Sequence, residues 1–248
     1  MLKTDNKPNL LTGDLVKTII KIGYPVALAT FVQTLYNLAD TFWLGKLGRN
    51  ALSAPVISFH ILFFIISIAI GFSMAGTSLV AQYTGAKQKE EANKTTGNLL
   101  VYLAIFSIFI TVLGVTFDEK LLTLLKTPAD AFASTRSYFR IMVIGMPFAF
   151  PIFVYQSVMN GFGDTKSPLK IEFISALINL VLDPVLIFGW FGFPALGVKG
   201  AALTSAITRA IASVIGIYLL FSGKKGIKLK RKHLKPDPKL FPLMLKIG

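Results

Sequence analysis

Six stretches of the chain read as continuous apolar runs, at roughly 15–44, 51–83, 97–117, 133–160, 168–191 and 197–222. Each reaches the ~20 residues that a helix needs to cross the hydrocarbon core of a bilayer. The first two are long enough to tilt or to project beyond it. The breaks between them are polar or glycine-rich: 45–49, 85–94, 118–130, 161–167 and 191–194. The runs are too long for barrel strands and lack a period-two alternation. The pattern therefore predicts an all-α integral membrane protein, a six-transmembrane-helix bundle occupying residues 1–222. No short apolar core followed by small residues opens the chain, so no cleaved signal peptide is expected.

Composition agrees with this reading. Apolar residues make up 53% of the chain and charged residues 15%, with a mean hydropathy of +0.64. An ordinary soluble domain has about 25% charged residues, so a disordered chain, a fibrous protein and a cytosolic enzyme are excluded. There is no Cys, which removes disulfides, thiolate metal sites and a Cys nucleophile from consideration.

The net charge of +14 raises nucleic-acid binding, but the position of the charges argues against it. Of 26 Lys and Arg, 18 lie in 1–21, 85–96, 161–172 and 223–248, and 7 lie in the alternate loops. That asymmetry predicts a cytoplasmic N-terminus and a multi-pass protein of the plasma (cytoplasmic) membrane. Trp43 and Trp190 then fall at outer helix ends, where an interfacial aromatic belt belongs. Residues 223–239 form a basic cytoplasmic linker, suited to anchoring topology and to contact with anionic membrane lipid. After it, 239–248 (KLFPLMLKIG) echoes 14–23 (DLVKTIIKIG), so 240–248 reads as the truncated start of a seventh helix. Duplicated bundles are common in transporters, and the chain is expected to be the first half of a protein about twice as long.

Two acidic residues fall inside spans, where an ionisable group marks function by default. Asp40 belongs to a stripe of Gln33, Tyr36 and Asn37 on one face of the first span. Asp183 ends a similar stripe of Glu172, Ser175 and Asn179 on the fifth. The sixth span runs back, which sets Thr204 and Ser205 at a comparable depth. Carboxylates, an amide and hydroxyls converging there suit a proton or a hard cation such as Na⁺. Pro25 and Pro184 each remove a ladder hydrogen bond and are expected to bend their helices. Arg209 lies mid-span on the sixth, either pairing with an aspartate or lining a cavity. His60 reads as a packing residue, and Met142, Met146 and Met159 with Phe148, Phe150 and Phe153 give the fourth span a soft aromatic surface.

Four motifs carry a resemblance. Val32 to Asp40 (VQTLYNLAD) is similar to the first helix of multidrug and toxic compound extrusion (MATE) transporters. Gly161 to Pro168 (GFGDTKSP) resembles their loop between helices four and five, Asn179 to Pro184 (NLVLDP) their fifth-helix motif, and Gly197 to Ala202 (GVKGAA) the start of their sixth. The resemblance implies two six-helix lobes, of which this chain is the N-terminal one and lacks its C-terminal partner. It implies export of amphipathic or cationic small molecules by H⁺ or Na⁺ antiport, with no other cofactor and no enzymatic activity. The family's cation site maps onto Asp40, Asn179 and Asp183, and Tyr36 and Gln156 map near its cavity; Gln33 and Asn37, on the Asp40 stripe, and Arg209 are expected to line the same cavity from their own positions in the spans. Ser205 takes a slot usually held by Thr, with Thr204 before it, and Arg209 stands where a neutral residue is expected. Three rival readings are a lipid-linked oligosaccharide flippase of the same superfamily, an intramembrane aspartyl protease, and a non-transporting half that needs a partner. The flippase usually lines its cavity with several Arg. The protease reading draws on Gly161 to Asp164 and on Pro194-Ala195-Leu196, but Asp164 heads a polar loop.

Overall fold

The computed structural model describes residues 15–248. The first 14 residues, with Lys3, Lys7 and the Asp14 that opens the repeat, lie outside the described residues. The six apolar runs correspond to helices α1 (Leu15–Lys46), α2 (Arg49–Gly85), α3 (Lys89–Thr116), α5 (Ala129–Phe162), α6 (Lys166–Phe188) and α7 (Val198–Ser222). Two short α-helices, α4 (Asp118–Leu124) and α8 (Leu240–Ile247), and two 3₁₀ turns, Trp190–Gly192 and Arg231–Leu234, complete the described chain. Five of the long helices are apolar enough to cross a membrane by length and composition. The sixth, α1, has 32 residues and carries the polar stripe through Asp40.

Several boundaries move, each for a local reason. α3 begins at Lys89 and not near 97, because its first two turns are helical but polar. The expected loop 118–130 contains α4, with Asp118 and Glu119 in its first turn, where the helix dipole favours them. α6 stops at Phe188 and not at 191, because Gly189 turns into the left-handed region at φ 77°. A Cβ there would press on the Phe193 carbonyl and the Ala195 amide, so the turn requires glycine. The amides of Leu196 and Gly197 then fold back 3.0 Å onto the carbonyls of Leu186 and Ile187, capping the helix.

α5 is the central mast, packed against α2, α3 and α7, while α1 lies along α6, and α6 against α7. Its own ladder is broken twice, at Pro147 and Pro151. Neighbours repair it. The Thr111 hydroxyl of α3 donates to the Val143 carbonyl, which Pro147 leaves without an amide (2.8 Å). The Ile152 amide, next to Pro151, donates to the Ser213 hydroxyl of α7 (3.1 Å). Freed backbone groups at membrane depth are tolerated when adjacent helices satisfy them in this way. Pro25 and Pro184 also lie inside single helices, α1 and α6, each of which lacks one ladder bond there.

The helix faces that look outward are strongly apolar: Phe31, Phe64, Ile108, Phe148, Val181 and Val214 are all exposed. Lipid tails are as apolar as these side chains, so packing between helices comes from close fit and small residues. The α2–α5 seam shows the rule. A Cβ on Gly161 would collide with the Thr77 carbonyl, so the two backbones nearly touch. Beside it the Ser157 hydroxyl donates to the Ser73 carbonyl (2.6 Å), and the Thr77 hydroxyl donates to the Ser157 carbonyl (3.1 Å).

The basic linker is a built segment. From 227 to 230 it is extended, with Ile227 and Leu229 buried and Lys228 and Lys230 exposed. The Leu229 amide bonds the Leu220 carbonyl, and the Lys228 amide bonds the Asn93 side chain. His233, which carried no signal in the sequence, is 3% exposed. Its Nδ1 accepts from the Lys230 amide (3.1 Å) and its Nε2 lies 3.1 Å from the Glu90 carboxylate. Asn98 of α3 accepts from the Asp237 amide (2.6 Å) and donates toward the Lys235 and His233 carbonyls (3.3 and 3.5 Å). Lys94 pairs with the Asp237 carboxylate at 2.6 Å. Its hydrogen bond, with that from the Lys239 amide, holds the Asp237 carboxyl below the usual carboxylate range. α8 then settles on α2 and α3, with Leu240 and Met244 buried and Phe241 between Phe72 and Tyr102.

Candidate functional site

The polar stripe of α1 has a register that only a helix produces: Gln33, Tyr36, Asn37 and Asp40 share one face, and that face looks toward α7. The Ser205 hydroxyl donates to the Asp40 carboxylate (3.1 Å) and accepts from the Tyr36 hydroxyl (2.9 Å). Thr208 stands one turn beyond Thr204 on the same face of α7, 3.4 Å from the Tyr36 hydroxyl. One hydroxyl ladder thus ties α1 to α7.

α6 supplies the other half. Glu172, Ser175, Asn179 and Asp183 are all buried, and Asn179 and Asp183 are completely inaccessible. The Asp183 carboxyl faces Asp40 on one side and Thr204 on the other, and Asn179 also faces Asp40. The Thr204 hydroxyl itself donates back to the Gly200 carbonyl (3.0 Å). Neither Asp183 oxygen has a hydrogen-bond partner, nor does Asp40 Oδ1, nor either polar atom of the Asn179 amide. Buried polar atoms in folded proteins are almost always paired. Two bare carboxylates held together also repel. Two facing carboxyls beside an amide and a hydroxyl form an oxygen-rich set of the kind that suits a proton or a small hard cation.

Beside this cluster, α1, α2, α5 and α7 line a half-open cavity of about 650 Å³. Gln33, Tyr36, Asn37, Asp40, Ser205 and Arg209 all line it. Its remaining wall is aromatic and soft, with Phe59, Phe63, Met142, Met146 and Phe153. Arg209 places its guanidinium 5.5 Å from the centroid of the Tyr36 ring.

Some expectations are redirected. Gln156 does not line the cavity; its amide donates to Glu172 (3.0 Å), the buried acid that opens the α6 stripe. Met159 is buried in the core and Phe148 is exposed on the outer surface, so only part of the soft face of α5 meets the cavity. His60 lines the cavity and is exposed within it. Asp164 caps α6, accepting from the Ser167 amide and hydroxyl (3.0 and 2.6 Å), which removes the support for a protease dyad. Tyr138, which also lines the cavity, and Thr208 went unnoticed in the sequence. Thr208 extends the spacing of Thr204 and was legible; Tyr138 sits alone on an aromatic helix and was not.

A family model described as MatE matches residues 25–185. The chain belongs to the MatE family. Among curated relatives, it is 32% identical over 228 residues to the probable multidrug resistance protein YoeA of Bacillus subtilis, covering 90% of this chain and 49% of that protein. It is 29% identical over 215 residues to a FAD transporter of Shewanella oneidensis, covering 87% and 48%. Among solved structures, a multidrug resistance MATE family transporter of the MOP superfamily in an outward-facing conformation superposes with a TM-score of 0.88 at 26% identity, covering 98% of this chain and 54% of that one. A MOP superfamily transporter from Pyrococcus furiosus superposes with a TM-score of 0.89 at 26% identity, again over 98% of this chain and 54% of that one. The chain thus spans about half the length of the MatE relatives it matches. It is a multi-pass membrane protein with the helical architecture of one lobe of the twelve-helix fold.

Proposed function

We propose that this chain is the N-terminal lobe of a secondary antiporter that exports amphipathic compounds from the cytoplasm across the plasma membrane. Residues 1–222 form the lobe, 223–239 the cytoplasmic connection, and 240–248 the start of a second, matching lobe. The observation that carries the reading is the facing pair Asp40 and Asp183, with orphaned oxygens, on the edge of a large soft cavity. Multidrug relatives of similar sequence support the efflux assignment. None of the relatives named above is a flippase or a protease.

In this reading a proton or Na⁺ enters between Asp40 and Asp183. Asn179 and Thr204 supply further oxygens, and the carboxylate repulsion is relieved. Asp40 is bonded to Ser205, and Ser205 to Tyr36, so a change at the carboxylate alters the hydroxyl ladder that fastens α1 to α7. That ladder forms part of the cavity wall, and its rearrangement couples ion entry to substrate release while the two lobes rock. Coupling requires that the ion bind one of the two states better than the other.

The test is ion-driven efflux by the complete protein that carries this lobe. Asp40→Asn and Asp183→Asn are each expected to abolish accumulation-driven export under an imposed H⁺ or Na⁺ gradient. Wild-type rates with both aspartates replaced would sink the proposal. Comparing pure H⁺ and pure Na⁺ gradients identifies the ion.

A further inference from the structure

The cavity wall holds a charge that ion coupling does not use. Arg209 lies midway along α7, one turn past Ser205, and lines the cavity. Among the described residues no carboxylate lies within ion-pair distance of its guanidinium and no acceptor bonds it; its close partner is the face of Tyr36. Asp40 feels its charge, but that carboxylate is turned to Ser205 and Asp183, and the Tyr36 ring belongs to the turn between them.

The ordinary explanation fails on geometry. A snorkelling arginine reaches toward an interface from near a helix end, whereas this one is mid-helix and faces the cavity. It is partly exposed there, and no described residue takes its hydrogen-bond donors, so they are open to a molecule in the cavity. A guanidinium does not lose its proton in proteins. Its charge is therefore present in every state of the transport cycle, unlike that of the aspartates. In a low-dielectric cavity a fixed cation repels cationic substrates and attracts anions far more strongly than in water. The planar fork matches a carboxylate or phosphate with two parallel hydrogen bonds. The same cavity is lined by Phe59, Phe63, Phe153, Met142 and Met146, which offer faces for a flat apolar body.

We propose that the cavity selects amphipathic substrates bearing an oxyanion, with a carboxylate or phosphate held in the fork of Arg209 and an aromatic body against the Phe and Met wall. This rests on the cavity being the substrate site, and names its substrate class. Arg209 is then a specificity-determining residue, and purely cationic compounds are the disfavoured ones.

The test is equilibrium dialysis of size-matched probes against the purified protein in phosphatidylcholine nanodiscs. The probes are 1-naphthoate, 1-naphthyl phosphate, 1-naphthylmethyl-trimethylammonium and neutral 1-naphthol. Wild type is expected to bind at least one anion tenfold or more tighter than the ammonium, and the tighter of the two anions identifies the oxyanion. Arg209→Gln is expected to weaken that anion at least tenfold while leaving 1-naphthol within twofold, which shows that the cavity is intact. Arg209→Lys keeps the charge without the fork and is expected to fall between. The proposal is overturned if wild type prefers the ammonium. It is equally overturned if Arg209→Gln leaves the anions within twofold, or weakens 1-naphthol and the anions alike. Binding needs no ion gradient, so the outcome is separate from that of the aspartate variants. Efflux that survives loss of both aspartates would remove the coupling reading and leave this one standing.

Discussion

Asn98 fastens the linker to the bundle, and its removal has a magnitude that the geometry supplies. The side chain is completely inaccessible. It accepts from the Asp237 amide at 2.6 Å, and its NH₂ reaches the Lys235 and His233 carbonyls at 3.3 and 3.5 Å. Its bond to the Lys94 carbonyl at 2.9 Å lies within its own helix and has little weight in docking. Asn98→Ala leaves the Asp237 amide without an acceptor, which costs about 1–3 kcal/mol. The two longer bonds add a few tenths of a kcal/mol each. Linker docking should therefore weaken by about 2–3 kcal/mol, or roughly 30- to 150-fold in its opening equilibrium at about 1.4 kcal/mol per decade. Hydrogen–deuterium exchange with peptide resolution reads this directly. Amides of 227–239 should exchange faster by that factor, while α5 and α7 stay unchanged. A change below threefold across 227–239 would refute the view that Asn98 holds the linker. Uniform acceleration of the whole bundle would refute the view that docking is a local event.

Two further outcomes follow from the ion pairs. Asp118 is buried, and its carboxylate takes Arg136 and Arg140 from α5 at 3.0 Å each. Both arginines are more than a third exposed or close to it, so screening discounts the pairs, and Asp118→Ala should destabilise the α4–α5 corner by about 1–2 kcal/mol in a denaturant titration. The Asp237 carboxyl sits below its ordinary value because of Lys94. Its share of linker docking is thus fully present above the ordinary carboxylate range and is lost as pH falls through the lowered value. Protection of 235–239, corrected for intrinsic exchange, should drop on acidification in wild type and drop less in Lys94→Met, where only the Lys239 side still holds the carboxyl down; an identical acid response in both would contradict this.

The six helices were legible because a membrane demands long apolar runs, and nothing soluble mimics them. The stripes on α1 and α6 were legible because polar residues inside such runs are rare and fall at helical spacing. The same criterion missed the first turns of α3, where Lys89, Glu90 and Glu91 continue the helix outside any apolar window. It also missed the two prolines of α5, since their significance lies in Thr111 and Ser213 on other helices. Gln156 was placed at the cavity by likeness, but its amide has a nearer acceptor in Glu172. His233 had no sequence pattern, because its burial depends on a fold-back of the linker that no local period encodes.

The α2–α5 seam has a mechanical consequence. The two helices are fastened at Ser73, Thr77, Ser157 and Gly161, and both line the cavity on the N-terminal side of that fastening, α2 through Val56 and Phe59 and α5 through Tyr138 and Met142. A change in cavity width that keeps these bonds must be taken up by bending of a helix and not by sliding of one along the other. Pro147 and Pro151, which interrupt the α5 ladder, lie between the fastening and Tyr138.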